Sequence, residues 1–174
     1  MNMVEYVCPL ESHHDRSSFD CGSEPLNTYI KFYATQNNRT GAAQTHVLIR
    51  HNQVIAFYSL AIQTIDKHLF PSRLAKKFPN YPLGVLILAR FGVDSRYKGQ
   101  GIGGALLGLA LESCYRSLVS IGGVAVIVDA KDETAKQFYE HFGFKSFPSQ
   151  PLKLYMSRDE LIVQFNTPTP PTLS

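Results

Sequence analysis

The sequence predicts a single α/β (α+β) domain with a mixed central β-sheet flanked by helices. The chain has 174 residues, which is the length of one domain with a sizeable core. Strand-like and helix-like segments alternate along it. One pair of strands is joined by a tight turn, and other strands are separated by a helix. Antiparallel and parallel neighbours are therefore expected within the same sheet.

The N-terminal half predicts three strands and two helices. The segment "VEYVCPL" (4–10) is a short strand, and residues 23–36 form a helix with Ser23 as its cap and Pro25 in its first turn. Residues 44–65 form two antiparallel strands that turn at His51–Asn52. The segment "PSRLAKKF" (71–78) is a short basic helix that ends before two prolines.

The C-terminal half predicts strands that are buried on both faces. The segments "GVLILARFGV" (84–93) and "GVAVIV" (123–128) are nearly continuous apolar strands, separated by a helix over about 102–120. A second helix begins at Asp132 as N-cap and ends at Gly143, and residues 152–156 close the sheet. Residues 1–165 are thus one domain, and the Pro/Thr-rich tail 166–174 is expected to be disordered.

Charge is distributed unevenly along the chain. The formal net charge is +3, but residues 31–98 contain ten Lys or Arg and only two Asp. A segment this basic indicates a polyanionic partner, either a nucleic acid or a phosphate-rich cofactor, or else a solvated surface without a ligand.

The N-terminus lacks a signal-peptide pattern, and no apolar run approaches a membrane span, which predicts a cytoplasmic protein without a membrane partner. The three cysteines are expected to be free thiols, and their spacing with histidines fits no zinc site, so no metal is expected.

The stretch "RYKGQGIGGALL" (96–107) is the strongest chemical signal, and it fits two kinds of ligand. Gly99, Gly101 and Gly104 match the dinucleotide-binding pattern G-x-G-x-x-G, and Asp129 follows about twenty-five residues later. However, residues 94–98 separate the pattern from its strand, and the chain left after Asp129 is short for a second nucleotide-binding half. Backbone N–H groups at the start of the next helix can equally bind the diphosphate of coenzyme A. The neighbouring strand edge can then pair with the amide-containing pantetheine arm.

The run "ARFGVDSRYKGQGIGGALL" resembles motif A, R/Q-x-x-G-x-G/A, of the GNAT acetyltransferases. Two registers match: one begins at Arg96, and the preferred one begins at Lys98, with Lys in place of Arg or Gln. Three segments, "FDCGSEPLNTYI", "LARFGVD" and "AKDETAKQFYEHFGF", also resemble the GNAT toxins of bacterial toxin–antitoxin pairs. The resemblance covers roughly residues 18–156. It implies the GNAT fold, acetyl-CoA as co-substrate, aminoacyl-tRNA as acceptor and a ribbon-helix-helix antitoxin as partner.

The resemblance also implies roles for individual residues. Tyr139 matches the family's catalytic tyrosine, the general acid; on the residues alone, an aromatic cluster around Tyr139 would be read as core packing. The expected acetyl-CoA site comprises Phe91, Gly92, Val93, Lys98, Gly99, Gln100, Gly101, Ile102, Gly103 and Gly104. A backbone N–H of the 91–93 strand is expected to stabilise the oxyanion. No general base stands out.

Six basic residues are candidates for holding tRNA phosphates: Arg39, Arg50, Arg73, Lys76, Lys77 and Arg90. Arg90 has a competing interpretation as a structural ion pair, because it lies in an apolar strand. The basic segment could also receive an acidic antitoxin tail. Two alternatives for function stay open: acetylation of a protein N-terminus or small amine, and a GNAT-like binding module without catalysis. The oligomeric state is open too, a homodimer included.

Overall fold

The computed structural model describes residues 6–166. Seven strands form one mixed sheet in the order β1-β2-β3-β4-β5-β7-β6. The strands are β1 (Tyr6–Pro9), β2 (Gln44–Arg50), β3 (Gln53–Ile65), β4 (Leu83–Val93), β5 (Ala125–Asp129), β6 (Lys145–Phe147) and β7 (Gln150–Ser157). The helices are α1 (Glu24–Thr28), α2 (Ala34–Thr40), α3 (Ser72–Ala75), α4 (Ile102–Ile121), α5 (Glu133–His141) and α6 (Arg158–Phe165). The predicted fold class is confirmed, and the outer part of the predicted tail lies outside the described residues.

Two compact units make up the part of the chain that the structure describes. One comprises residues 6–62 together with Ile87–Ala110, and the other comprises Gln63–Leu86 and residues 111–166. In the first unit, β1, β2 and β3 pair antiparallel, and their inward side chains form an apolar core with α1 and α2 that includes Phe19, Ile30, Val47 and Phe57. In the second unit, β7 pairs antiparallel with both β5 and β6, and Phe70, Ile127 and Phe147 are among the core residues.

The β2–β3 hairpin forms as the sequence predicts. His51 and Asn52 have φ of 52° and 61°. Two successive left-handed residues make the turn type whose twist matches the flanking strands. Burial alternates along β2, so that Thr45, Val47 and Ile49 face the core.

The predicted helix 23–36 is interrupted by a wider turn. A π-helical segment, Tyr29–Tyr33, lies between α1 and α2, and single π turns are frequent at functional sites. Pro25 lies in the first turn as predicted, but the Ser23 side chain makes no capping hydrogen bond. Asn27 instead ties the helix start to the preceding loop, because its side chain accepts from the Cys21 amide at 2.9 Å and donates to Asp20 at 2.9 Å.

The predicted basic helix 71–78 is shorter than expected. Regular α-helix covers only Ser72–Ala75. The amides of Lys77 and Phe78 donate to the carbonyls three residues earlier, at 3.0 and 3.1 Å, which tightens the last turn. Pro79 contributes to this shortening, because it has no N–H to donate to the Ala75 carbonyl, which accepts from the Phe78 amide instead.

The C-terminal part of the chain agrees with the sequence-based prediction at both ends of helix α5 and differs from it in two later elements. Asp132 caps α5 by accepting from the Ala135 amide at 2.8 Å, and Gly143 has φ of 103° just beyond the helix, both as predicted. Strand β6 and helix α6 were not predicted. Helix α6 does carry a sequence signal, the capping pattern S-x-x-E at Ser157 and Glu160, and the Ser157 hydroxyl accepts from the Glu160 amide at 3.2 Å.

Helix α4 is the longest helix and has an unusually apolar composition. By length and composition alone it could cross a membrane, which corrects the expectation that no stretch approaches that length. Its residues Leu106, Leu107, Leu111, Cys114 and Leu118 are at most 1% exposed within the protein. This one-sided burial is the pattern of a core helix.

Candidate active site

The glycine segment between β4 and α4 adopts a conformation that requires glycine at two positions. Gly99 and Gly101 both have φ of +78°, in the left-handed region. A Cβ added at either residue would meet no other described atom within 4 Å. Backbone conformation, and not crowding, therefore demands these glycines, and the space beside them is open to a ligand.

Helix α4 begins directly after this segment. The Ala105 amide donates to the Gly101 carbonyl at 3.2 Å, which closes the first helical turn. The N–H groups of a first turn have no acceptor within their helix, and the helix dipole adds positive potential there. Of the remaining predicted cofactor residues in this stretch, Gln100 is exposed, and Ile102, Gly103 and Gly104 are half-buried. The arrangement is suited to binding an anionic diphosphate.

Asp94 anchors the backbone that leads into the glycine segment. Its carboxylate is 1% exposed and accepts from the Arg96 amide at 2.9 Å, the Arg96 side chain at 3.0 and 3.1 Å, and the Asp20 amide at 3.2 Å. Burial opposes ionisation of Asp94, but these hydrogen bonds outweigh it and hold its pKa below the usual value. Asp94 therefore stays ionised and fixes the turn at residues 95–97.

The two cationic side chains of the predicted motif both have protein partners. Arg96 pairs with Asp94, and Lys98 Nζ donates to the Cys21 carbonyl at 2.7 Å. The Ser95 amide also donates to the Asp20 carbonyl at 2.8 Å. The segment around Cys21, part of the "FDCG" run, thus binds the glycine segment at several points. The sequence did not indicate that residues 20–21 bind residues 94–98, because the two segments are far apart along the chain.

The end of β4 is packed closely at Gly92. A Cβ there would lie 3.3 Å from Phe57 Cε1 and 3.4 Å from Cys21 Sγ. Phe91 and Val93 on either side are half-buried. The predicted oxyanion segment 91–93 therefore packs against the core of the first unit at Gly92.

Tyr139 lies on α5 in the second unit and is 8% exposed. Its ring makes edge contacts with Phe138 at 5.3 Å and Phe144 at 5.6 Å between centroids. Burial raises the pKa of Tyr139 to about 12. Tyr139 is thus part of an aromatic cluster, and its phenol stays protonated at neutral pH.

The six predicted nucleic-acid residues occupy different environments. In the first unit, Arg39 is exposed beside Gln36, Arg50 lies over the ring of Tyr97 at 4.7 Å, and Arg90 lies over the ring of Tyr29 at 3.8 Å. Arg90 thus packs on an aromatic ring, and the interpretation as a structural ion pair gains no support. In the second unit, Arg73, Lys76 and Lys77 are exposed on and after α3.

Within residues 6–166, no group of three or more His, Cys, Asp or Glu side chains is arranged to hold a metal ion. The described cysteines, Cys8, Cys21 and Cys114, are free thiols, as predicted. Cys8 Sγ lies 3.8 Å from His14 Nε2, and burial lowers the pKa of His14. Cys21, whose carbonyl accepts from Lys98, also packs against Gly92 through its side chain.

Comparison with known proteins assigns the class of the protein. Residues 41–146 match the family model described as an acetyltransferase (GNAT) domain. The chain is 34% identical over 156 residues to the tRNA-acetylating toxin of Mycobacterium tuberculosis, which covers 88% of this chain and 93% of that protein. The chain thus has the fold of an acetyl-transferring enzyme.

Solved structures with this fold include complexes of a toxin. AtaT complexed with acetyl-methionyl-tRNAfMet has a TM-score of 0.87 at 24% identity and covers 93% of this chain and 99% of that one. A Tyr-to-Phe mutant of AtaT, bound to the C-terminus of the antitoxin AtaR and to acetyl-CoA, has a TM-score of 0.80 at 20% identity, with 94% and 99% coverage. The chain belongs to the GNAT acetyltransferase family. Acetyl-CoA as co-substrate is therefore confirmed, which favours the coenzyme A interpretation of the glycine segment over the dinucleotide interpretation.

Proposed function

We propose that this protein is a toxin that transfers the acetyl group of acetyl-CoA to the α-amino group of aminoacyl-tRNA and so blocks translation. The observation that carries the proposal is the 34% identity to a tRNA-acetylating toxin over 88% of this chain. A match of this extent reaches far beyond the glycine segment, whereas the glycines alone would be common to many acetyltransferases.

The glycine segment fits the diphosphate of acetyl-CoA. We assign Lys98, Gly99, Gln100, Gly101, Ile102, Gly103 and Gly104 to this site. The open space beside Gly99 and Gly101 allows phosphate oxygens to approach the backbone N–H groups at the start of α4. Lys98 contributes positive charge nearby while its ammonium group is bound to the Cys21 carbonyl. When bound, acetyl-CoA supplies an activated acetyl group and departs as a thiol.

The 91–93 segment binds the carbonyl oxygen of the acetyl group. A backbone N–H of Phe91, Gly92 or Val93 donates to the acetyl carbonyl oxygen as negative charge develops on it. The close packing of Gly92 against Phe57 and Cys21 supports this role, because a donor held in place needs no reorganisation during the reaction.

Tyr139 acts as the general acid. The acceptor nitrogen forms a bond to the acetyl carbon, the carbon–sulfur bond breaks with its electron pair on sulfur, and Tyr139 gives its phenolic proton to that sulfur. The proton lost by the amine passes to water. Tyr139 carries its phenolic proton at neutral pH, because burial raises its pKa to about 12, so the proton is available for this transfer. The α-amine of an aminoacyl ester is less basic than a lysine, so a dedicated base is not required.

Basic side chains outside the glycine segment bind the phosphates of the acceptor stem. We assign this role to Arg39, Arg50, Arg73, Lys76 and Lys77, with the Arg73–Lys77 segment as the strongest candidate, since all three of its basic side chains are exposed. Binding of this kind weakens steeply with salt.

The partner and location follow from the same proposal. We expect a ribbon-helix-helix antitoxin, in keeping with the AtaT structure that contains the C-terminus of its antitoxin AtaR. Its acidic residues would suit the basic segment. Charged tRNA is the substrate, so the enzyme acts in the cytoplasm, and a homodimer is compatible with this assignment.

The decisive experiment is label transfer from radioactive acetyl-CoA to total charged tRNA, with the wild type beside Tyr139→Phe. We expect label on the aminoacyl moiety with the wild type, and a turnover lowered by about 10²- to 10⁴-fold in Tyr139→Phe with nearly unchanged acetyl-CoA affinity. Absence of label despite acetyl-CoA binding would overturn the tRNA assignment and direct the search to other amines. Near-wild-type turnover in Tyr139→Phe would show that Tyr139 only packs the core.

A further inference from the structure

A cleft of about 700 Å³ lies in the first unit beside β4. Its lining includes Glu24, Pro25 and Leu26 of α1, Tyr29 and Tyr33 of the π-helical segment, and Arg90 of β4. This volume is in the range of sites for a nucleoside-sized ligand. No pattern in the sequence indicated it, because its walls come from segments about sixty residues apart.

At this cleft, the guanidinium of Arg90 stacks on an aromatic ring. Its guanidinium lies 3.8 Å from the centroid of the Tyr29 ring, which is a stacking distance. A guanidinium has two faces, and Arg90 also lines the cleft. Tyr29 therefore covers one face of the guanidinium, and Arg90 also contributes to the wall of the cleft.

A network of polar side chains holds the Tyr29 hydroxyl in place. Its hydroxyl contacts Ser59 Oγ at 2.9 Å and Thr45 Oγ1 at 3.1 Å, and accepts from Asn37 Nδ2 at 3.3 Å. Thr45 and Ser59 are fully buried and bonded to each other at 2.7 Å. Such a network holds Tyr29 in one position, so the guanidinium rests on a rigid platform.

The lining of the cleft suits a planar base and not a phosphate. Leu26, Pro25 and the exposed ring of Tyr33 offer apolar surface, and the carboxylate of Glu24 repels an anion while accepting from an amino group. Unstacked bases in single-stranded RNA are commonly received on aromatic rings and guanidinium planes.

We propose that this cleft binds the adenine of the 3′-terminal nucleotide of charged tRNA, with Arg90 as the surface on which the base stacks. The inference rests on the proposed function and changes the role of Arg90 from a phosphate contact to a base contact. Arg90 and Gly92 are two residues apart in β4 and so face the same side of the strand. A base on Arg90 therefore places the aminoacyl ester of the same nucleotide near the 91–93 segment.

The test uses two aminoacylated RNA minihelices that differ only at the terminal ribose, one with adenine and one without a base. With the wild type we expect a KM about tenfold higher for the base-free minihelix, the usual size of one stacking contact, and little change in kcat. Arg90→Lys keeps the charge but has no plane, and we expect it to give the same KM for both minihelices. The KM for acetyl-CoA reports whether the variant is folded.

Arg116→Lys is the matched control, because Arg116 is an exposed arginine paired with Glu112 on α4. It should retain the tenfold difference between the minihelices. Arg90→Gln is a second variant, which keeps a planar group without charge, and we expect it to retain part of the difference. The wild-type comparison alone remains decisive if either Arg90 variant fails to fold.

Equal KM values for the two minihelices with the wild type would overturn the inference while leaving the proposed function intact. It would also be overturned if Arg90→Lys kept the difference and Arg90→Gln lowered the slope of log KM against log salt by about one, the signature of a phosphate contact. If the wild type acetylated neither minihelix while binding acetyl-CoA, the proposed function itself would fail.

Discussion

Helix α4 has a pair of left-handed glycines near each end, and the space around a glycine differs between the two ends. Before the helix, Gly99 and Gly101 have open space where a Cβ would stand. After it, a Cβ on Gly123 would lie 2.6 Å from Leu118 Cδ2 and 3.4 Å from the Gly84 carbonyl oxygen. The first pair leaves room for a ligand, whereas at the second end the chain passes close to its own core. Glycine content alone does not distinguish a binding loop from a packed turn.

The largest expected effect is at the N-terminal end. Gly101→Glu should lower the affinity for acetyl-CoA by more than about 100-fold, because a bulky carboxylate would stand beside the diphosphate. The cost to folding should be only about 1–2 kcal/mol, the strain of a left-handed non-glycine residue. Calorimetric titration with acetyl-CoA measures the first quantity, and urea unfolding measures the second.

Gly122→Glu is the matched control for that variant. Gly122 is also left-handed, with φ of 104° and no described atom within 4 Å of an added Cβ. It should show a similar cost to folding and unchanged acetyl-CoA binding. Undiminished binding in Gly101→Glu would mean that the phosphate site has been placed wrongly.

Gly123→Ala tests the packed turn. Crowding against Leu118 and Gly84, together with a φ of 122°, should lower the free energy of unfolding by roughly 2–4 kcal/mol. Acetyl-CoA affinity of the folded protein should stay the same. A loss below about 1 kcal/mol would indicate that the Leu118 side chain rotates away at little cost.

Asp94→Asn tests the anchor of the N-terminal loop. We expect a loss of about 2 kcal/mol at pH 7, because the buried group would lose its charge-assisted bonds to Arg96. The pKa of Asp94 is lower in the folded than in the unfolded chain, so its stabilisation is present above the unfolded value and is lost as pH falls through the folded one. Unfolding measured from pH 7 down to pH 2 should therefore show less acid sensitivity in the variant. An unchanged pH dependence would contradict this role.

Gly108→Ala should have the smallest effect and the opposite sign. Gly108 lies inside α4 with no described atom within 4 Å of an added Cβ and without a left-handed φ. Alanine there should stabilise the protein by about 0.5–1 kcal/mol, because glycine loses more backbone entropy in a helix. Thermal unfolding measures this, and a destabilised variant would reveal that a close neighbour needs the space.

The local elements of this fold were predictable because their causes are local. The hairpin turn at His51–Asn52, the Asp132 cap and the left-handed Gly143 each depend on residues within a few positions of one another. Helix α3 was predicted too long, although the Pro79 that shortens it is equally local. The π-helical segment at Tyr29–Tyr33 had no sequence signal, because widening one turn depends on what the helix packs against.

The candidate site likewise has features that the sequence predicts and features that it does not. By itself the sequence determined the glycine segment, the apolar strand before it and the family they belong to, since these depend on residue types at short spacing. Tertiary structure alone decided that Lys98 binds the Cys21 carbonyl, that Asp94 is a buried anchor, and that Arg90 stacks on Tyr29 above a buried hydroxyl network. The physical reason is that each of these contacts joins residues more than thirty positions apart or depends on burial, and one chain's sequence carries no record of which distant segments meet.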